Sequence, residues 1–187
     1  MQEDPDAPPL RRDTSLDRAV RELERHVATA GWDGPVRVFA LVHTARAMAA
    51  DPQLRRQLPS DVVAQADGDA SHITSVEQVD LPRGETLEAV LGQITWPPTV
   101  DGAAVVVERF VVPPAAERDL PEDPAAALDA LLAHPERQDV RLAAAVLRDG
   151  TSACAVRTRS HDQDFAVGTG PDVAPGLVAA LRETLAG

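Results

Sequence analysis

The chain of 187 residues carries 18 basic and 30 acidic side chains, for a formal charge of −12, and 44% of it is hydrophobic. That apolar share is enough for a buried core and excludes a wholly disordered chain. The acidity disfavours general affinity for nucleic acid, because phosphates would be repelled rather than neutralised.

Five aromatic residues, Trp32, Trp96, Phe39, Phe110 and Phe165, leave the core to be built from Ala, Val and Leu. Apolar runs such as Ala103–Val107 and Ala143–Leu147 fall far short of the ~20 residues a membrane helix needs. A lone Cys154 fits a reducing compartment. The opening MQEDPDAPPL lacks the charged and apolar regions of a signal peptide. A cytoplasmic location is the expectation.

Residues 1–13 mix prolines and carboxylates and read as a disordered acidic tail, with one domain over residues 14–187. Thr14 and Asp17 form a capping box for a helix whose stripe is Leu16, Ala19, Val20, Leu23, Val27 and Ala30. Gly31 ends it. Val36–Val42 predicts a strand, then a short helix capped by Thr44; a continuous helix from Pro35 is the rival. Residues 59–71 read as a polar loop, His72–Val79 as a strand, and Leu87–Leu91 as a short helix. Ala103–Val112 is the strongest strand signal, β-branched and apolar on both faces. Asp123 and Pro124 open another helix through Leu128, Leu131 and Leu132. Val140–Leu147 and Ser152–Thr158 flank Asp149-Gly150 and predict a hairpin with a two-residue type I′ turn. A last strand near Phe165–Gly168 precedes a C-terminal helix capped by Asp172. The hairpin makes the fold class α+β, a predominantly antiparallel sheet with helices packed on it.

No nucleophile–base pair, metal-ligand spacing or cofactor motif is legible, so no catalytic residue, metal or cofactor is expected. The five histidines are scattered. Cys154 reads as a buried, inert thiol. Gly168-Thr169-Gly170-Pro171 lacks the third glycine of a phosphate loop, and Pro171 removes a donor.

Electrostatics supply the one candidate site. Between Arg137 and Arg159 five arginines face two acids, a local charge of +3 in a chain of −12. The two-residue turn pairs Leu142 with Arg157 and Val140 with Arg159, placing both arginines on one face. Glu108 interrupts an apolar strand and needs a cation if buried; Arg157 or Arg159 is its expected partner, with Arg141 third. Glu108, Arg141, Arg157 and Arg159 are therefore either a structural ion network or a site for an anion or a partner.

Several segments together resemble one family: Gly31-Trp32-Asp33 with Arg37-Val38-Phe39-Ala40-Leu41-Val42, Val76-Glu77-Gln78, Val106-Val107-Glu108-Arg109, Arg148-Asp149-Gly150, and Gly170-Pro171-Asp172 with Pro175-Gly176-Leu177. It is an uncharacterised actinobacterial family whose founding member is a propionibacterial open reading frame, and the resemblance spans residues 16–185. It implies no assigned activity and transfers no site residue; it also implies a gene placed near a PDZ-containing membrane protease. The expectation is a non-enzymatic binding or adaptor protein with a protein partner. The rivals are an enzyme or ligand-binding protein holding an anion on the arginines, and a structural homodimer.

Overall fold

The computed structural model describes residues 13–118 and 120–186, so residues 1–12 of the expected tail lie outside it. Asp13 is within it, its carboxylate doubly hydrogen-bonded by Arg21. Helix α1 (Ser15–Ala28) opens on the expected capping box. The Thr14 hydroxyl accepts from the Asp17 N–H while the Asp17 carboxylate accepts from the Thr14 N–H at 2.9 Å. Leu16, Ala19, Val20, Leu23 and Val27 are buried, and Ala30, past the helix end, is exposed.

Among the described residues, six strands form one antiparallel sheet in the order β2-β1-β3-β4-β5-β6. They are β1 (Arg37–His43), β2 (Ile73–Gln78), β3 (Gly102–Val111), β4 (Gln138–Leu147), β5 (Ser152–Thr158) and the two-residue β6 (Gly168–Thr169). Period-two alternation sorts their side chains between two cores. Helix α1 covers Phe39, Leu41, Ala104, Val106, Ala143, Ala145, Ala153 and Ala155. The opposite face, with Val38, Ala40, Val105, Ala144, Val146 and Cys154, lies under α5 (Leu87–Leu91), Trp96 and α7 (Pro175–Leu185). The alanines of β4 and β5 leave room for a helix on each side, which is how a chain poor in aromatics closes its core.

Arg148 ties this second layer to the sheet. Its guanidinium donates to the carbonyls of Trp96 at 3.1 Å, Val100 at 2.9 Å and Leu185 at 2.8 Å. The Trp96 indole N–H donates to Thr184 Oγ1 at 3.0 Å.

Several expectations are corrected. Residues 59–71 contain helix α4 (Ser60–Gly68), preceded by the one-turn α3 (Leu54–Gln57); Asp67, Gly68 and Asp69 sit at the helix end, and Asp61 lies in its first turn. In α2 (Thr44–Ala50) the cap position is His43 rather than Thr44, whose hydroxyl is spent on His72 and Thr74. Helix α7 is led by Ala174 and Pro175, not capped by Asp172. Phe165 lies on a 3₁₀ turn before the short β6. Helix α6 (Pro124–Leu132) carries the expected Asp123 cap, accepting from the Ala126 N–H at 2.8 Å, yet none of its residues is buried.

The hairpin correction matters most. Leu147 N–H donates to Thr151 C=O and Gly150 N–H to Leu147 C=O, both at 2.9 Å, so three residues form the loop. Gly150 alone among them has positive φ, at +88°, which fits a type I turn followed by a glycine bulge rather than type I′. The pairing slides by one residue: Leu142 faces Val156, Val140 faces Thr158, and Arg141 faces Arg157. One step of slip turns Arg157 to the opposite face of the sheet.

Candidate functional site: a buried arginine–carboxylate network

Glu108, Arg141 and Arg157 are consecutive neighbours across β3, β4 and β5, on the face covered by α1. Two guanidinium groups side by side repel, and the row is held by a carboxylate from above. Glu24 of α1 is buried with 1% exposure, and it accepts a two-point hydrogen bond from Arg157, Nε to Oε1 and Nη2 to Oε2, both at 2.7 Å. Arg141 Nη1 reaches the same Oε1 at 3.4 Å. Arg141, wholly buried, then bonds Glu108 Oε1 through Nη2 at 2.8 Å and Nε at 3.2 Å.

Sequence reasoning ranks Arg157 and Arg159 ahead of Arg141 as partner of Glu108; the structure reverses that order. The β3–β4 register places Arg141 directly beside Glu108, and the hairpin slip turns Arg157 to that face, where Glu24 takes it. Glu108 is mostly buried, its side chain keeping 20% exposure.

The turn after α1 completes this end of the network. Gly31 and Asp33 both adopt left-handed backbone, φ +85° and +68°. The chain thereby folds back so that the Gly31 carbonyl accepts from Arg141 and the Asp33 N–H donates to Glu108 Oε2 at 2.6 Å. The Trp32 ring between them lies 4.3 Å from the Arg141 guanidinium carbon and 5.3 Å from that of Arg159, within cation–π range. Its indole N–H donates to Asp162 at 2.9 Å.

An outer set of carboxylates meets the remaining guanidinium edges. Asp164 and Asp162 accept from Arg157 at 2.7 and 3.3 Å. Asp33 takes Arg159 in a fork of two bonds, and Asp139 takes its Nη1 at 3.4 Å. Hydrogen bonds donated to Glu24 and Asp164 raise the Arg157 pKa further above its ordinary value, so it stays charged at every ordinary pH. The Asp33 and Asp164 carboxyls are held below the usual aspartate value by Arg159 and Arg157 respectively. The +3 charge read locally is thus met by acids from distant parts of the chain.

The structure brings all four candidate residues into one network and adds Glu24, Trp32, Asp33, Asp162 and Asp164. Glu24 had a legible signal: it falls four residues after Val20 and three before Val27, inside the apolar stripe of α1. A cleft of about 390 Å³ opens beside the network, walled by Val27, Pro35, Val36 and Val106, with Glu108 and Arg141 at one end.

A buried hydroxyl and an imidazole, Thr44 and His72, meet outside the network. Thr44 Oγ1 is 2.8 Å from His72 Nδ1 and 2.7 Å from Thr74 Oγ1, and His72 Nε2 is 3.0 Å from Gln65 Oε1. The pairing has the geometry of an activated nucleophile, but Thr44 is 2% exposed, which closes it to a substrate. Among the described residues no cluster of His, Cys, Asp and Glu is arranged to hold a metal ion, and no helix is long and apolar enough to cross a membrane.

A two-faced antiparallel α+β sheet, closed at one end by paired charges, defines the architecture. Residues 16–186 match the family described as PPA1309-like protein, and the chain belongs to that family. No curated protein and no solved structure matches it.

Proposed function

We propose that the chain is a non-catalytic binding protein, a cytoplasmic adaptor that meets its protein partner through α6. The observation that carries this reading is that α6, with sequence PAAALDALL, buries none of its residues. It stands in the long connection between β3 and β4, residues 112–137, and leaves Leu128 48% and Leu132 40% exposed. Leu128, Leu131 and Leu132 have the i, i+3, i+4 spacing of a helix that lays one face into an apolar groove. A helix this apolar is ordinarily packed against its own domain. The network supports the same reading, since its guanidinium edges already hold carboxylates of this chain.

The test is affinity capture of the full-length protein from its native cell, with mass spectrometry, beside a Leu128→Glu/Leu132→Glu double variant. Because α6 buries nothing, the variant keeps the fold, which circular dichroism checks. A partner captured reproducibly by the wild type and lost with the variant is the expected result. Equal recovery with both, or no reproducible partner, overturns the reading.

A further inference from the structure

We propose that the cleft beside the network binds a small organic cation, an ammonium group carried on an aliphatic body. The proposal does not rest on α6. The cleft exists because two neighbouring strands are out of step. β1 begins at Arg37, opposite Val106, whereas β3 continues to Val111. Among the described residues no strand flanks Glu108 on that side. Residues 30–36 stand there instead, tied down by the Asp33 N–H on Glu108 Oε2. The space left measures about 390 Å³, within the range of small-molecule sites. A Cβ added at Gly34, which lines it, would meet nothing within 4 Å.

The walls are aliphatic, and charge enters through two ion pairs, Arg141–Glu108 and Arg37–Glu77. In each pair the carboxylate is the more exposed member. Glu108 keeps 20% exposure against 0% for Arg141, and Glu77 keeps 34% against 22% for Arg37. Arg141 is spent on Glu24, Glu108 and the Gly31 carbonyl, and full burial closes it to a ligand. Glu108 Oε2 accepts from a neutral donor, the Asp33 N–H. A carboxylate oxygen takes two hydrogen bonds, so Oε2 has room for a second donor. Glu77 is ionised at neutral pH, because the Arg37 guanidinium holds its carboxyl below the usual glutamate value.

Two wider fields have the same sign. The cleft lies at the C-terminal end of the fourteen-residue α1, where the carbonyl ends of a helix favour a cation. In the ion pairs of the adjoining network, six carboxylates meet five guanidinium groups among the described residues. An anion would meet carboxylates at every reachable polar point. A bare metal ion or a polyamine would strand charge against the valines. A single ammonium at Glu108, with hydrocarbon lying along Val27, Val36 and Val106, satisfies both halves of the cleft.

Titration calorimetry of the full chain with hexylamine, hexanol and hexanoate compares one hydrocarbon body under three charges. Hexylamine, protonated near neutral pH, should bind about tenfold more tightly than hexanol, and hexanoate should give no heat. Affinity should rise from butylamine through hexylamine to octylamine, by up to about fourfold per CH₂; general attraction to an acidic surface produces no such rise. Glu108→Gln should weaken hexylamine about tenfold and leave hexanol unchanged. In NMR spectra of the isotope-labelled chain, hexylamine should shift the amides of Gly31, Gly34 and Val106 and leave Gly168 in place. An Nα-acetyl-lysine amide should bind more weakly than hexylamine. The reverse order would assign the cleft to a lysine of a protein partner and overturn the free-amine reading. No heat with hexylamine, equal binding of hexanoate, undiminished hexylamine affinity in Glu108→Gln, or shifts confined to other regions would each overturn it as well. The charge series uses the wild-type chain, so it decides even if Glu108→Gln fails to fold.

Discussion

Arg141 and Arg157 stand directly opposite one another on neighbouring strands, and Glu24 Oε1 accepts a hydrogen bond from both. Like charges facing across a ladder destabilise it. This pair persists because one helix lowers a carboxylate between them. Glu24 therefore fixes how α1 is seated on the sheet as well as neutralising charge.

Removing that carboxylate should be the most damaging single change in the network. Glu24→Gln keeps the shape but leaves two buried guanidinium groups short of charge, and the expected loss is about 3–5 kcal/mol. Glu108→Gln should cost clearly less, since Glu108 is partly exposed and Arg141 keeps Glu24 and the Gly31 carbonyl. Urea unfolding of both variants checks the ranking. Combining Glu24→Leu with Arg157→Met should cost less than the sum of the single changes.

Acid should weaken the fold over a defined range. Asp33, Asp67, Asp69 and Asp164 are all held below their ordinary 3.8 by hydrogen bonds from Arg159, Arg55, Ser71 and Arg157 respectively. The unfolded chain thus takes up protons at higher pH than the folded one. Their contribution is complete above the unfolded value and disappears as pH falls through the lower, folded values. Asp164→Asn should flatten this acid limb of the urea midpoint plotted against pH. An unchanged slope would remove Asp164 from the account.

Cys154 should react only when the molecule opens. It is fully buried, and burial pushes its thiol pKa up. A thiol reagent near neutral pH should label the native protein far more slowly than the urea-unfolded chain. Cys154→Ala should be mildly destabilising and leave partner capture unchanged.

Two glycines should resist substitution for different reasons. At Gly150 the backbone lies at φ +88°, with open space around it, so Gly150→Ala should cost about 1 kcal/mol through strain alone. At Gly102 an added Cβ would collide with the Val146 carbonyl oxygen, so strands must move. Gly102→Ala should cost about 1–3 kcal/mol, as overpacking does. Thermal midpoints of the two variants should fall in that order.

Much of the fold was legible because it rests on short-range signals. The capping box of Thr14, the stripe of α1, the run Ala103–Val107 and the Asp123 cap all act within a few residues. Helix α4 was missed because Asp61, Gln65 and Asp67 hide a short helical segment behind polar composition. The network was legible in membership and not in pairing. Glu108, Arg141, Arg157 and Arg159 stand out by charge, but which of them touch depends on the β3–β4 register and on whether the Asp-Gly loop holds two residues or three. That choice moves every β5 side chain by one place. Asp33, Asp162 and Asp164 gave no local sign, since exposed acids in turns are common and only the folded chain brings them to an arginine.

The Arg148 clamp on the carbonyls of Trp96, Val100 and Leu185 has a consequence for synthesis on the ribosome. Helix α7 emerges after all six strands, yet it covers part of the sheet face bearing Val38, Ala40, Val105, Ala144 and Val146. Until Leu185 leaves the exit tunnel, that face has only α5 and Trp96 over it and one carbonyl of the clamp is missing. The nascent chain therefore passes through a stage with a formed sheet and an open apolar side, the kind of surface on which chaperones act.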